Sequence, residues 1–176
     1  MPVTINGAGL ASGVTSVPNL QSFPAGPRLA SVNMPVGSVL QVVNATTTAA
    51  ITTSSTSFVT TGFSASITPT SATSKIYAVV NGGGAYCSTP AGVVMYSTIY
   101  RNSTNIGDAT FGLERHTTVG GSFAIAPHSM SVLDSPATTS STTYTCYFRN
   151  AGTGGTVDFS NSDRGVVSLT LMEIAA

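Results

Sequence analysis

Residues 129–150, SMSVLDSPATTSSTTYTCYFRN, decide the fold of this chain. Apolar residues alternate at the start of the stretch, a run of Ser, Pro and Thr breaks the pattern, and alternation then resumes. Pro136 cannot donate to a sheet ladder, so it belongs to the connection. In the second arm Tyr144, Cys146 and Phe148 share one face, because strand side chains alternate with a period of two. The stretch predicts a β-hairpin with a structural rather than a catalytic role.

The composition favours a folded all-β protein that belongs to an assembly. Only 7% of the 176 residues are charged, whereas roughly 25% is usual in a globular domain. Six basic residues cancel six acidic ones, and 24 Ser and 27 Thr replace charges as the solvating groups. Near-zero net charge promotes association. The hydrophobic content of 41%, carried by alternating β-branched and aromatic residues, argues against disorder and for strands.

The sequence argues against nucleic-acid binding and against membrane insertion. Phosphate binding needs clustered Lys and Arg, and the closest basic pair, Arg101 and Arg115, is 14 residues apart. No apolar run reaches the roughly 18 residues of a membrane-spanning helix. The N-terminus also lacks the basic region and apolar core of a secretory signal.

A change in composition predicts an arm followed by a domain. Residues 1–36 hold five of the nine prolines, and their apolar residues are too sparse for a core. We expect an extended anchoring arm that becomes ordered against another protein surface; the alternative is a floppy tail. Residues 37–176 carry nine or ten short strand patterns at even spacing, which predict an antiparallel β-sandwich or jelly roll. The expected contacts of the arm with its partner are Val3, Ile5, Leu10, Val17, Leu20 and Phe23.

Three predicted strands, at 74–81, 92–102 and 166–174, are largely apolar on both faces. The outer face of a sandwich strand should be polar in a monomer, so these strands need a second cover. We expect that cover to be another subunit of a tight homo-oligomer; the alternative is an unusually thick fold or a covering loop of the same chain. The expected interface residues are Tyr77, Val79, Tyr96, Tyr100, Met172 and Ile174.

Acid–base catalysis has weak support in the sequence. Asp108, Glu114 and His116 lie close together in the chain and are the residue types that such catalysis uses. Six acids in 176 residues, however, place such a group together by chance. A serine hydrolase would need a histidine partner, His116 or His128, and a Gly-x-Ser-x-Gly elbow, which is absent from the sequence. We therefore predict no catalytic residues and no enzyme.

Metal ligands are also weakly indicated. Cys87, Cys146 and the two histidines lack zinc spacing. Asp158, Asn161 and Asp163 offer oxygen atoms to calcium without the Gly and Glu of a calcium loop, so an Asn/Asp turn is favoured. We predict no metal site and no cofactor. For the cysteines we expect a buried thiol at Cys146, and a single bridge to Cys87 is the lesser alternative, because spacing does not decide connectivity.

The segments SITPTSATSKI, LDSPATTSSTTY and LMEIAA, together with their order over residues 37–176, resemble the jelly-roll domain of structural proteins of tailed bacteriophages. The resemblance implies a trimeric jelly-roll knob on the virion exterior, made in the host cytoplasm. It is related in form to tail-fibre heads and to capsid decoration knobs. The region 1–36 does not carry the resemblance.

The part of the virion is inferred from what precedes the knob in this sequence. We find no heptad run, collagen-like repeat or β-helical region there, and a fibre head is normally projected by such a shaft. We therefore expect a non-enzymatic capsid decoration or cement protein whose arm binds the capsid. The alternative is a short tail-fibre subunit, docked on other tail proteins, whose head binds a host surface glycan. That alternative predicts exposed recognition residues in loops, and the candidates are Tyr86, Phe111, His116 and Phe123.

Overall fold

The computed structural model describes residues 34–88, 92–118, 123–152 and 154–176, and its regular elements there are eleven strands and one short 3-10 turn. The strands are β1 (Val39–Thr47), β2 (Ile51–Thr53), β3 (Val59–Ile67), β4 (Lys75–Cys87), β5 (Val94–Arg101), β6 (Thr104–Asn105), β7 (Glu114–Thr117), β8 (Ala124–Asp134), β9 (Thr142–Asn150), β10 (Val157–Ser160) and β11 (Val167–Ile174), and the 3-10 turn is Ser162–Arg164. The expected arm contacts, Val3, Ile5, Leu10, Val17, Leu20 and Phe23, lie outside the described residues.

The strands form two antiparallel sheets that pack face to face. Sheet A has the order β1-β11-β4-β10-β2, and β8 pairs with the other side of β4. Sheet B has the order β3-β9-β5-β6, and β7 also pairs with β5. This arrangement confirms the predicted all-β antiparallel sandwich of the jelly-roll class. No helix among the described residues is long and apolar enough to cross a membrane.

Inward-facing side chains of both sheets form the core. In β9, Tyr144, Cys146 and Phe148 are buried while the residues between them are half-buried, as the alternation predicts. The rings of Phe148 in sheet B and Phe159 in sheet A meet edge to face, with centroids 5.8 Å apart. Cys146 and Cys87 are both buried free thiols, so the alternative of a disulfide bridge is wrong.

The predicted hairpin at 129–150 is wrong in its topology, although both of its strands exist. β8 pairs with β4 in sheet A, whereas β9 pairs with β3 and β5 in sheet B. The connection between them therefore crosses from one sheet to the other. Asp134 links the two sheets at this connection. Its Oδ2 accepts a hydrogen bond from the Tyr144 hydroxyl and its Oδ1 accepts one from Arg101, each at 2.7 Å.

Two predicted strand ends are wrong for a common reason. The sequence predicts one strand at 74–81 and another at 122–126 that Pro127 stops, but β4 continues through Gly82–Gly84 and β8 continues through Pro127. The β4–β8 register shifts between Gly82 and Ala85, opposite Pro127. Among the described strands β8 pairs with β4 alone, so this irregular edge tolerates a residue without an N–H group. Gly82 has a φ of 81° and its Cα stands against the Val166 carbonyl oxygen, which leaves no space for a Cβ.

Candidate functional site

The six expected interface residues divide between the two outer faces of the sandwich. Tyr77 and Val79 on β4 and Met172 and Ile174 on β11 lie on the outer face of sheet A. Tyr96 and Tyr100 on β5 lie on the outer face of sheet B, in alternation with the buried Met95 and Ile99.

Sheet A carries a continuous apolar row across its outer face. Val42 of β1 pairs with Met172 of β11, which pairs with Tyr77 of β4, which pairs with Leu133 of β8. The exposed fractions of Val42, Tyr77 and Leu133 are 57%, 36% and 53%. We call these four residues the apolar stripe. The second row along from it on the same face is wholly polar and consists of Thr46, Ser168, Asn81 and Ser129.

The outer face of sheet B carries an aromatic–arginine cluster, formed by Phe58, Tyr96, Phe111 and Arg149. Phe111, in the loop before β7, meets Tyr96 edge to face with centroids 5.5 Å apart. The Arg149 guanidinium lies 5.1 Å from the centroid of Tyr96 and 5.3 Å from that of Phe58. A loop of the same chain therefore covers part of Tyr96, which is the alternative that the sequence left open.

Tyr100 also has a partner within its own chain. Its ring stacks on that of Tyr147 with centroids 3.9 Å apart. Both outer tyrosines of β5 therefore contact aromatic side chains of their own chain.

Two open cavities flank the aromatic–arginine cluster. One has a volume of about 420 Å³ and is bordered by Tyr96, Phe111 and Arg115. The other has a volume of about 440 Å³ and is bordered by Phe58, Tyr100 and Arg149. Flat apolar rings beside charged hydrogen-bonding groups are the chemistry that orients a ligand with an apolar face and polar edges.

The four recognition candidates do not form one site. Only Phe111 belongs to the aromatic–arginine cluster. Tyr86 and Phe123 lie together at the β4–β8 edge with centroids 5.9 Å apart, and Arg164 covers the Tyr86 ring at 4.2 Å. His116 is half-buried in a third place. Sequence reasoning missed Arg149 as a partner of these rings, because its neighbours come from distant parts of the chain.

Glu114 and His116, considered for acid–base catalysis, belong to a cluster between the sheets. Glu114 in β7 of sheet B places Oε2 at 2.6 Å from Nδ1 of His128 in β8 of sheet A. Its Oε1 accepts the N–H of Ser129 at 2.7 Å. Nε2 of the fully buried His128 lies 2.8 Å from the carbonyl oxygen of Phe159, so that nitrogen carries a hydrogen and donates it.

The surroundings of Glu114 set its charge. Burial alone raises the pKa of the carboxyl, but the imidazoles of His116 and His128 beside it outweigh burial and lower the pKa to about 2. Glu114 is therefore an anion at neutral pH, with its side chain only 7% exposed. Asp108 is not part of this group, because it accepts the backbone N–H groups of Thr110 and Phe111 in an exposed turn.

The residues considered for calcium have other roles. Asp158 accepts hydrogen bonds from Thr52 at 2.8 Å and from Arg164 at 2.6 Å. The Asn161 side chain accepts the N–H of Asp163 and so caps the 3-10 turn. These contacts favour the interpretation of the segment as a turn.

Comparison with known proteins gave low similarities to solved virus particles. No family model and no curated protein matches the chain. A viral particle of infectious bursal disease virus aligns at 15% identity and a TM-score of 0.40, over 88% of this chain and 40% of that one. T = 1 particles derived from infectious bursal virus align at 14% and 0.39, over 85% and 41%. The VP2 subviral particle of the same virus aligns at 13% and 0.35, over 85% and 42%. The chain thus spans about two fifths of the length of these structures, and likeness at this level places it in no family.

Proposed function

We propose that this protein is a non-enzymatic structural component of a tailed-phage particle: a trimeric capsid decoration or cement protein on the virion exterior, attached through residues 1–36. The apolar stripe is the observation that carries the proposal. An exposed apolar row across four strands is a cost to a monomer, and such rows mark interaction surfaces. The sequence resemblance over residues 37–176 supports the place of the protein on a phage.

The stripe supports self-association, and the trimer is the form in which we propose it. With a formal net charge of zero, copies of the chain do not repel one another strongly. A cyclic arrangement closes on itself and leaves no free copy of the interface. Turning the stripes of three copies toward one axis covers Val42, Tyr77 and Leu133 and leaves sheet B outside. Val79 and Ile174 lie on the same face as the stripe, and Tyr96 and Tyr100 then take no part.

Deleting residues 1–30 tests the arm. We expect the truncated protein to remain a soluble trimer, because the stripe lies in the retained domain, but to be lost from particles. The measurement is the copy number per purified virion, by quantitative mass spectrometry, beside the mass of the free protein by light scattering. Particles that contain the truncated protein at the normal copy number would refute the arm's role.

Val42→Asp tests the stripe, with Thr46→Asp as its matched control. Both residues are exposed on the outer face of β1, but Thr46 belongs to the polar row. A carboxylate at position 42 would have to be desolvated at the interface, so we expect monomers from V42D and trimers from T46D. Analytical ultracentrifugation across a concentration series measures this. A V42D protein that sediments as the wild type does would rule out the stripe as the interface.

The aromatic–arginine cluster favours a second candidate function, a short tail-fibre subunit whose head binds a host surface glycan. Sugar rings stack their apolar faces on aromatic side chains and hydrogen-bond at their edges. Phe111, Tyr96 and Arg149 offer both kinds of contact beside open cavities. In this function the cluster, on the face opposite the stripe, would point away from the trimer axis.

Phe111→Ala tests glycan binding, and Phe123→Ala is a close control because both side chains are 59% exposed. Losing one stacking partner should weaken binding to an array of bacterial surface polysaccharides by about tenfold, on the order of 1.4 kcal/mol. F123A should bind as the wild type does. If the wild-type trimer binds no polysaccharide on the array, the tail-fibre function is refuted and the capsid decoration function is the one that remains.

A further inference from the structure

We propose that Glu114, His116 and His128 bind a divalent transition-metal ion of the Zn²⁺ type between the two sheets. One ligand atom from each of the three side chains lies within 4.8 Å of the others. Two imidazoles and a carboxylate are a ligand set that Zn²⁺ takes in proteins. The inference is independent of the place of the protein on a particle.

The positions of the ligand atoms fit an ion with small adjustments. His128 Nδ1 is 2.6 Å from Glu114 Oε2, and His116 Nε2 is 3.1 Å from Glu114 Oε1. Ligands about 2.0–2.1 Å from a tetrahedral zinc ion are about 3.3 Å apart. Rotations that move these atoms by less than about 1 Å would therefore admit the ion.

Hydrogen bonds outside the ligand set already orient two of its members. The Nε2–H of His128 is held by the Phe159 carbonyl oxygen at 2.8 Å. This bond leaves Nδ1 as the nitrogen that faces Glu114. Ser129 N–H fixes the Glu114 carboxylate at 2.7 Å. A backbone carbonyl that holds the far nitrogen of a ligating histidine is the usual support of such a metal site.

The environment of the His116 ring is not explained by an ion pair between Glu114 and the histidines alone. Its Nε2 is buried and has no hydrogen-bond partner, although Glu114 Oε1 is 3.1 Å away. A buried polar nitrogen without a partner is costly, and a metal ion would satisfy it.

A bound ion would join the two sheets. Glu114 and His116 come from β7 in sheet B, and His128 comes from β8 in sheet A. Among the described strands β7 pairs only with β5 and β8 only with β4. Coordination would therefore join two strands that each pair on one side only, across the sandwich, and the role that follows is structural.

The test uses the full chain, stripped of metal with a chelator and then titrated with ZnCl₂. We expect one zinc ion per chain by isothermal titration calorimetry and a higher thermal midpoint when zinc is present. We also expect Co²⁺, added in place of zinc, to give the visible absorption of a tetrahedral site. His116→Asn should weaken zinc binding by at least about 100-fold, since a ligand matters more than the outer groups whose loss costs 10- to 100-fold.

The variants separate a metal site from an ion pair. The rise in midpoint on adding zinc, rather than the midpoint itself, is compared between H116N and the wild type, because the substitution also removes the 3.1 Å contact of His116 Nε2 with Glu114 Oε1. Asp163→Asn, which removes an exposed carboxylate of the 3-10 turn, should bind zinc as the wild type does. The proposal is overturned if the wild type binds no zinc, or if H116N binds it equally well. Should H116N fail to fold, the Co²⁺ spectrum of the wild type decides.

Discussion

Replacing Glu114 with glutamine is expected to lower the free energy of unfolding by about 3–5 kcal/mol, the cost of removing one partner from a buried ion pair. The carboxylate faces His128 Nδ1 at 2.6 Å and accepts the N–H of Ser129 at 2.7 Å. An amide of the same shape presents an NH₂ group to one of these donors. It also removes the carboxylate oxygen that faces Nδ1 of the fully buried His128 ring.

The measurement is urea unfolding at neutral pH, with a chelator present so that bound metal contributes nothing. Asp163→Asn is the control, since it removes a negative charge from an exposed turn. Such a surface change should stay within about 0.5 kcal/mol of the wild type. A loss below about 1 kcal/mol for E114Q would mean that the cluster is weakly coupled to folding, and the role of Glu114 as a tie between the sheets would have to be given up.

The fold class was predictable because its signal is local. The period of two along β9 is written in seven consecutive residues, 143–149, and the structure buries the face that the pattern indicates. The low charge and the β-branched residues, which occur along the whole chain, also indicate an all-β fold. Such signals need no knowledge of which strand is the neighbour.

Pairing was not predictable in the same way. The connection after Asp134 has the composition of a turn. Such a composition predicts where a strand ends, but it does not predict which of the two sheets the next strand joins. The choice is made by the inner faces, where Tyr144 and Phe148 fill the core from sheet B while Met130 fills it from sheet A. That fit depends on the whole sandwich, so short-range reading predicted a hairpin where the chain crosses between sheets.

The candidate sites likewise combine residues that local sequence patterns predict with residues that only the tertiary structure brings together. Tyr77 and Met172 were expected at an interface from their own strands, but Val42 and Leu133 complete the stripe only through registers with distant strands. Glu114 and His116 share a strand face because they are two residues apart, which the sequence does show. His128 joins them from the other sheet, and no spacing rule for zinc ligands covers a pair of strands in different sheets.

Asp134→Ala is expected to cost about 3 kcal/mol of stability, because hydrogen bonds to charged groups are worth about 1.5–3 kcal/mol each. The substitution leaves the Tyr144 hydroxyl without an acceptor in the core, where the residue is fully buried. It also leaves the Arg101 guanidinium, whose side chain is 27% exposed, without its carboxylate. Ser135→Ala alters the next residue but keeps the backbone carbonyl that Arg101 also contacts. It should stay within about 0.5 kcal/mol of the wild type.

A double-mutant cycle with Tyr144→Phe then measures the tie across the sheets. Tyr144 and Asp134 lie at opposite ends of the crossing connection, and burial, more than the hydrogen bond to Asp134, raises the pKa of the tyrosine hydroxyl. The hydroxyl therefore stays protonated at neutral pH and donates its hydrogen to Asp134. If that bond holds the crossing, the urea-derived losses of D134A and Y144F overlap, with an interaction energy of about 1–2 kcal/mol. Losses that simply add would show that the two residues stabilise the sandwich independently, and the crossing would owe its geometry to core packing alone.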